Sequence, residues 1–449
     1  MGVLWASDTE KARHIINVAA FVQFQSNVSP EEFIAAVKEK IKKTKDVRYN
    51  SSLHNMLGYW YRMRSDTVLD KAIILIPLTQ NELDNKSDFE KRISRIESEP
   101  LPKHSVIEIL ISSEPVTFYE NNDGSKTHAA IIRLHHTVGE GFNLLAFLLS
   151  IADDQIITNH ISGNSEVPLV YKNVTNNSRL ISSKNIFSDV VKSISEVTKN
   201  ASVYYFGLIK PYDNNILHKS TLSGEKILVS RLEKDSEYFL KIKSIKSRVE
   251  QCTFSDVVHT AVSASLWEHF NKYAKPIPRN ITMTFVATVK NGSFCAIVQN
   301  LPIHIDGTKS ASEKLLQRLN IIKASRKNIR QSLDALIFYW LASATSLLPT
   351  PIVRLMVRCT VKATVSLSNL PGIRAITING QLLRDIVFWT PNVALTGVGL
   401  TMLTYDNRIQ AGLVADKTLL SSREDAVDIL QSIFKYLDLL EEEIKLKND

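Results

Sequence analysis

The chain has 449 residues, 44% of them hydrophobic and 22% charged, which reads as globular and is too long for one ordinary core, so two domains are expected. Its net charge of +8 favours anionic partners: phosphates, a CoA-type carrier or an anionic membrane surface. Nucleic acid is disfavoured, because no Lys/Arg block is interleaved with aromatics as a base-stacking platform requires.

In chain order, Met1 to Ala20 carries Asp8, Glu10, Lys11 and Arg13 and no continuous apolar core, so no secretory signal is expected. Ser29-Pro30-Glu31-Glu32 is a helix start, with Phe33, Val37 and Ile41 following at helical spacing. Val106 to Ile111 and Ala129 to Leu134 read as strands. Residues 154 to 183 are polar and turn-rich, a linker, and Ile186, Val190, Ile194 and Val197 mark a helix after it. The second half opens with a strand at Lys226 to Arg231. Thr253-Phe254-Ser255-Asp256 begins a helix running to about Ala274, and Ile281 to Thr288 is a strand. Leu400 to Tyr405 and Arg408 to Val414 flank the two-residue turn Asp406-Asn407, a hairpin. A final amphipathic helix carries Leu430, Phe434, Leu437 and Ile444.

These elements give an α/β (α+β) chain with an N-terminal domain over 1–153, a linker and crossover helix over 154–220, and a C-terminal domain over 221–449. Cys252, Cys295 and Cys359 form no CxxC or metal pattern, so a reduced, cytosol-facing protein without a metal centre is expected. Residues 335 to 353 carry no charge, but Pro349 and Pro351 break the run, favouring a buried or interfacial helix over a membrane span. Leu336, Ile337, Phe338, Trp340 and Leu341, with Arg354, Arg358 and Lys362 every four residues beyond, form an apolar patch beside a basic stripe. Such a segment, 335–362, suits docking on anionic lipid.

The segment richest in chemistry is His135-His136-Thr137-Val138-Gly139-Glu140-Gly141, between the apolar Ala129 to Ile132 and a helix-like run from Phe142 to Leu149. A titratable pair between core-type sequences costs free energy unless it is hydrogen-bonded or has a task. Neighbours on a strand point to opposite faces, so the two imidazoles have different roles and do not share a metal. Imidazole titrates near neutral pH, as a general base should. Gly139 and Gly141 suit a tight turn. His128, His259 and His269 read as incidental, and no GxSxG, Walker, HExxH or complete GxGxxG sequence appears.

HHTVGEG on a strand–turn–helix resembles the HHxxxDG motif of the CoA-dependent acyltransferase superfamily, and within it the wax ester synthase/diacylglycerol acyltransferase family. Glu99-Pro100-Leu101-Pro102 takes the place of that family's "rPLW", Thr253 to Val258 is similar to its "TvNDvv", and Ser368-Asn369-Leu370-Pro371-Gly372 is similar to its "SNvPGp". Glu140 stands for the family's Asp, Ser255 for its Asn, and Leu101-Pro102 lacks the Trp. The resemblance implies a chloramphenicol acetyltransferase-like fold with an active-site tunnel between two domains. It implies His136 as catalytic base, His135, Glu140 and Gly141 as motif support, and Asn369 and Asp256 as tunnel or interface support. It further implies acyl-CoA as co-substrate with no cofactor, and a fatty alcohol or diacylglycerol as acceptor. The expected setting is cytosol-facing, as a peripheral or integral protein of the endoplasmic reticulum membrane or a lipid droplet. The alternatives are a catalytically weak acyl-lipid-binding protein of this fold and an acyltransferase for a small soluble acceptor.

Overall fold

The computed structural model describes residues 8–44, 48–56, 59–65, 67–119, 125–139, 141–153, 213–274, 276–288, 294–331, 348, 350–360, 363–370 and 372–448. The expected linker and its helix, Glu140, Pro371 and most of 335–349 lie outside these residues.

Among the described residues, two six-stranded sheets carry the fold. The first has the order β11 (Ile376–Ile378), β12 (Gln381–Trp389), β1 (Ile15–Phe24), β6 (Lys126–His135), β5 (Ile107–Ser112), β4 (Ile73–Ile76). The second runs β7 (Lys226–Leu232), β14 (Arg408–Asp416), β13 (Val398–Tyr405), β10 (Val365–Leu370), β8 (Asn280–Thr288), β9 (Phe294–Pro302). A separate hairpin pairs β2 (Ser51–Met56) with β3 (Tyr59–Arg64).

Alternation along β1 explains why the first sheet is covered on both faces. Val18, Ala20, Val22 and Phe24 enter one core with Phe33, Val37 and Ile41 of α1 (Pro30–Lys43) and Leu144, Leu145 and Leu148 of α5 (Gly141–Ile151). Ala19 and Phe21 enter another with Phe89, Ile93 and Ile96 of α4 (Lys86–Glu97). Ser29 and Glu32 make the expected capping box at the start of α1. The second sheet packs on α6 (Glu237–Arg248), α7 (Phe254–Tyr273), α8 (Leu315–Gln331) and α10 (Arg423–Asn448). Asp406 and Asn407 close the β13–β14 hairpin with φ of 50° and 60°, as a type I′ turn requires.

The split of the sequence at 221 does not coincide with the split into sheets. Residues 376–389 lie in the C-terminal half, yet β12 pairs antiparallel with β1, from Asn17–Trp389 to Gln23–Leu382. The sheets therefore meet along β12. Trp389 Nε1 donates to the Val229 carbonyl at 2.9 Å. A Cβ on Gly412 would come within 2.7 Å of the Phe388 carbonyl, so glycine permits this approach. Among the described residues no helix is long and apolar enough to cross a membrane. Of the proposed docking segment, α9 (Thr350–Thr360) is described, with Val353 buried and Ile352 and Leu355 exposed.

Candidate active site

β6 ends at His135, and a single 3₁₀ turn, His136–Val138, joins it to α5. The histidines sit in different elements, His135 closing the strand and His136 opening the turn. His135 is buried, while His136 is half-buried at the turn. Gly139 has extended backbone, φ 161° and ψ 172°, so the turn does not draw on glycine's conformational freedom there.

Three chain segments hold the turn by its backbone. The His136 amide donates to the His14 carbonyl at 2.7 Å, ahead of β1. Arg62, on β3, donates to the Thr137 carbonyl at 2.8 Å, and Arg48 donates to the Val138 carbonyl at 3.1 Å. The β2–β3 hairpin thus braces the motif. Around His135, Nδ1 lies 2.9 Å from Thr137 Oγ1 and accepts the Thr137 amide at 3.3 Å. Asp8 Oδ2 stands 3.8 Å from His135 Nε2. Burial, and then the neighbouring His135, pulls the His136 pKa down to about 4, so its imidazole is neutral at physiological pH. Among the described residues nothing hydrogen-bonds its Nδ1. A neutral imidazole has one unprotonated ring nitrogen and is therefore equipped to take a proton.

The other sequence candidates gather at the start of α7. Thr253 caps the helix in a capping box with Asp256. Asp256 is fully buried and pairs with Arg326 of α8 at 2.8 Å. Asn369, on β10, donates to Ser255 Oγ at 3.2 Å. Leu370, next along β10, joins the core that holds Leu134 and Val138, and α5 lies against β10. The helix start and the histidine turn thus belong to neighbouring parts of one interior, but no contact joins Asn369 or Asp256 to His136 among the described interactions. The other histidines have structural surroundings. His128 Nδ1 pairs with the Ser112 carbonyl at 2.9 Å and its ring stacks on Phe24, while His259 packs edge-on against Phe285.

Asp8, His14, Arg48, Arg62 and Arg326 were not apparent from sequence. Each reaches its partner across the chain, or by a backbone group, and no motif spacing records that. Among the described residues no cluster of His, Cys, Asp or Glu has the makings of a metal site. A cavity of about 850 Å³ opens elsewhere, against α4 and β7; the charges lining it pair mutually, as Arg95 with Glu82 and Lys417 with Glu225.

Residues 292–438 match the WS/DGAT C-terminal domain. None of the curated proteins compared with the chain matches it in sequence. Among solved structures, the wax ester synthase/diacylglycerol acyltransferase from Marinobacter aquaeolei VT8 is similar at TM-score 0.62 and 14% identity, over 99% of this chain and 98% of that one. A trichothecene 15-O-acetyltransferase from Fusarium sporotrichioides is similar at TM-score 0.67 and 12% identity, over 98% and 93%. The first condensation domain of the CDA synthetase is similar at TM-score 0.57 and 12% identity, over 98% and 94%. The chain therefore resembles the wax ester synthase/diacylglycerol acyltransferase family through its C-terminal domain, and has the two-sheet, chloramphenicol acetyltransferase-like fold that these enzymes share.

Proposed function

We propose that the protein is an acyl-CoA-dependent O-acyltransferase that passes a long-chain acyl group to a fatty alcohol or diacylglycerol, forming wax esters, triacylglycerol or both. The carrying observation is the His136 imidazole, held neutral on a turn that three backbone hydrogen bonds fix, in a chain with a WS/DGAT C-terminal domain. His136 takes the acceptor's hydroxyl proton as that oxygen bonds to the thioester carbon. The carbon–sulfur bond of the tetrahedral intermediate then breaks, and the CoA thiolate leaves with the proton that His136 returns. A pKa near 4 weakens the base but keeps it unprotonated. The acyl chain and acceptor would meet between the two sheets.

Ser255, which takes the place of the family's Asn, keeps a hydrogen bond at this position, its hydroxyl accepting from Asn369 at 3.2 Å. The test is steady-state ester formation from radiolabelled palmitoyl-CoA with hexadecanol, diacylglycerol or small soluble alcohols. Label appearing in wax ester or triacylglycerol is expected. Label only in small esters would favour the soluble-acceptor reading, and none in any ester would favour an acyl-lipid-binding protein.

Insoluble acceptors give a reason to work at a lipid surface. On α9, Ile352 is 48% and Leu355 65% exposed, and Arg354 is exposed between them. Each basic residue at an anionic surface contributes about 1 kcal/mol. Changing Arg354, Arg358 and Lys362 to Gln should weaken flotation with anionic liposomes. Binding that is unchanged and insensitive to salt would place the docking surface elsewhere.

A further inference from the structure

The segment before β1 touches both histidines of the motif, and one carboxylate organises it. Asp8 Oδ1 accepts the His14 amide at 2.8 Å. The His14 carbonyl in turn accepts the His136 amide at 2.7 Å. Asp8 Oδ2 faces His135 Nε2 at 3.8 Å, ion-pair distance rather than hydrogen-bond distance. On the far side of that ring, the Thr137 amide donates to Nδ1. An amide only donates, so Nδ1 is the bare nitrogen and the ring proton sits on Nε2, toward Asp8. His135 is 2% exposed, so water does not compete for either nitrogen. Arg62 is the nearby positive charge, and its guanidinium is held on the Thr137 carbonyl.

We propose that Asp8 is a positioning residue for acyl transfer: it keeps His135 in the Nε2–H tautomer and, through His14, fixes the turn that carries His136. This rests on His136 being the base, as proposed above. Asp8 touches no reacting atom; it acts through the geometry of the pair. Asparagine is the informative replacement. Its oxygen would still accept the His14 amide, but its NH₂ would face the Nε2–H, donor against donor. The ring would have to change tautomer and lose the Thr137 amide, or turn away.

The experiment joins kinetics to a readout that needs no turnover. In protein labelled with ¹⁵N-histidine, ring shifts should show His135 with a bare Nδ1, and Asp8→Asn should abolish that pattern. Asp8→Asn should lower kcat by about 10–100-fold, the range known for removing the hydrogen-bond partner that orients a metal-bound histidine, with KM for palmitoyl-CoA little changed. Asp8→Glu keeps the charge and should recover more kcat than Asn does. The proposal is overturned if Asp8→Asn leaves kcat or the His135 tautomer unchanged, or if Glu and Asn are equally impaired. If Asp8→Asn does not fold, Asp8→Glu carries the test alone: it must retain the Nε2–H tautomer together with measurable transfer. His136→Ala separates the two ideas. Normal turnover in that variant would end the reading of His136 as base, while the ring shifts would still report on Asp8 and His135.

Discussion

Burial of His136 sets how the protein should respond to pH. An imidazole in water titrates near 6.5, whereas this one is pulled down to about 4, first by burial and then by His135 beside it. The base form therefore persists to low pH. kcat/KM reports the free enzyme, so this group should leave kcat/KM level from pH 8 to pH 5 and cut it below, with a midpoint near 4. A midpoint at 6–7 would mean that the ring is solvated. His136→Ala should lower turnover by roughly 10²–10⁴-fold, the range for losing a general base, at unchanged thermal stability. His135→Ala should lower turnover less than His136→Ala does and should also cost stability, because it strips an acceptor from the buried Thr137 amide, about 1–3 kcal/mol. The HHTVG run pointed to both side chains because their types and flanks are local. What holds them was not legible, because His14 contributes a carbonyl, and every residue has one.

At the scale of elements, the start of α7 is the most completely determined by its own sequence. Thr253 and Asp256 satisfy each other's backbone amides within one turn, and Asp256 also receives Arg326. The two residues should therefore differ in their cost when removed. Thr253→Ala loses one cap, about 1 kcal/mol. Asp256→Ala also takes the carboxylate from a buried guanidinium, roughly 3 kcal/mol or more. Urea unfolding should rank the variants in that order, and equal midpoints would show that the Arg326 pair adds nothing. The capping boxes and the Asp406-Asn407 hairpin were readable because each rests on contacts within a few residues. β1 and β12 were not read, although β1 is central to the first sheet. Both lie between covered faces, so IINVAAFVQF shows no polar alternation. The pairing of β12 with β1 joins residues more than 350 positions apart, and no local pattern encodes that register.

At the scale of the molecule, the two sheets meet over buried charge, and Glu97 is one buried carboxyl there that makes stability depend on pH. Glu97 ends α4, which packs on both β1 and β7. Burial pushes its carboxyl up to about 7, and Lys226 and Arg133 offset only part of that. Its Oε2 has no hydrogen-bond partner among the described residues, as suits a group that is protonated below neutrality. In the unfolded chain the same carboxyl titrates near its ordinary 4.5. Between pH 4.5 and 7 the folded protein thus holds a proton that the unfolded chain has released, and the stability this group contributes falls as pH rises. His259 and His269 work in the opposite sense. Their pKa values are pulled by burial to about 3 and about 4, so below 6.5 the unfolded chain binds protons that the folded protein refuses, and stability falls as pH drops. The whole protein sums these opposed slopes, so its own pH profile hides each one. Glu97→Gln isolates one of them, since glutamine resembles the protonated acid and does not titrate. Relative to the parent, the Gln variant should gain stability from pH 5 to pH 8, by up to about 1.4 kcal/mol per pH unit within the window. Guanidinium unfolding of both proteins at the two pH values measures this. An unchanged difference would mean that Glu97 ionises normally in place, with Lys226 and Arg133 compensating its burial in full.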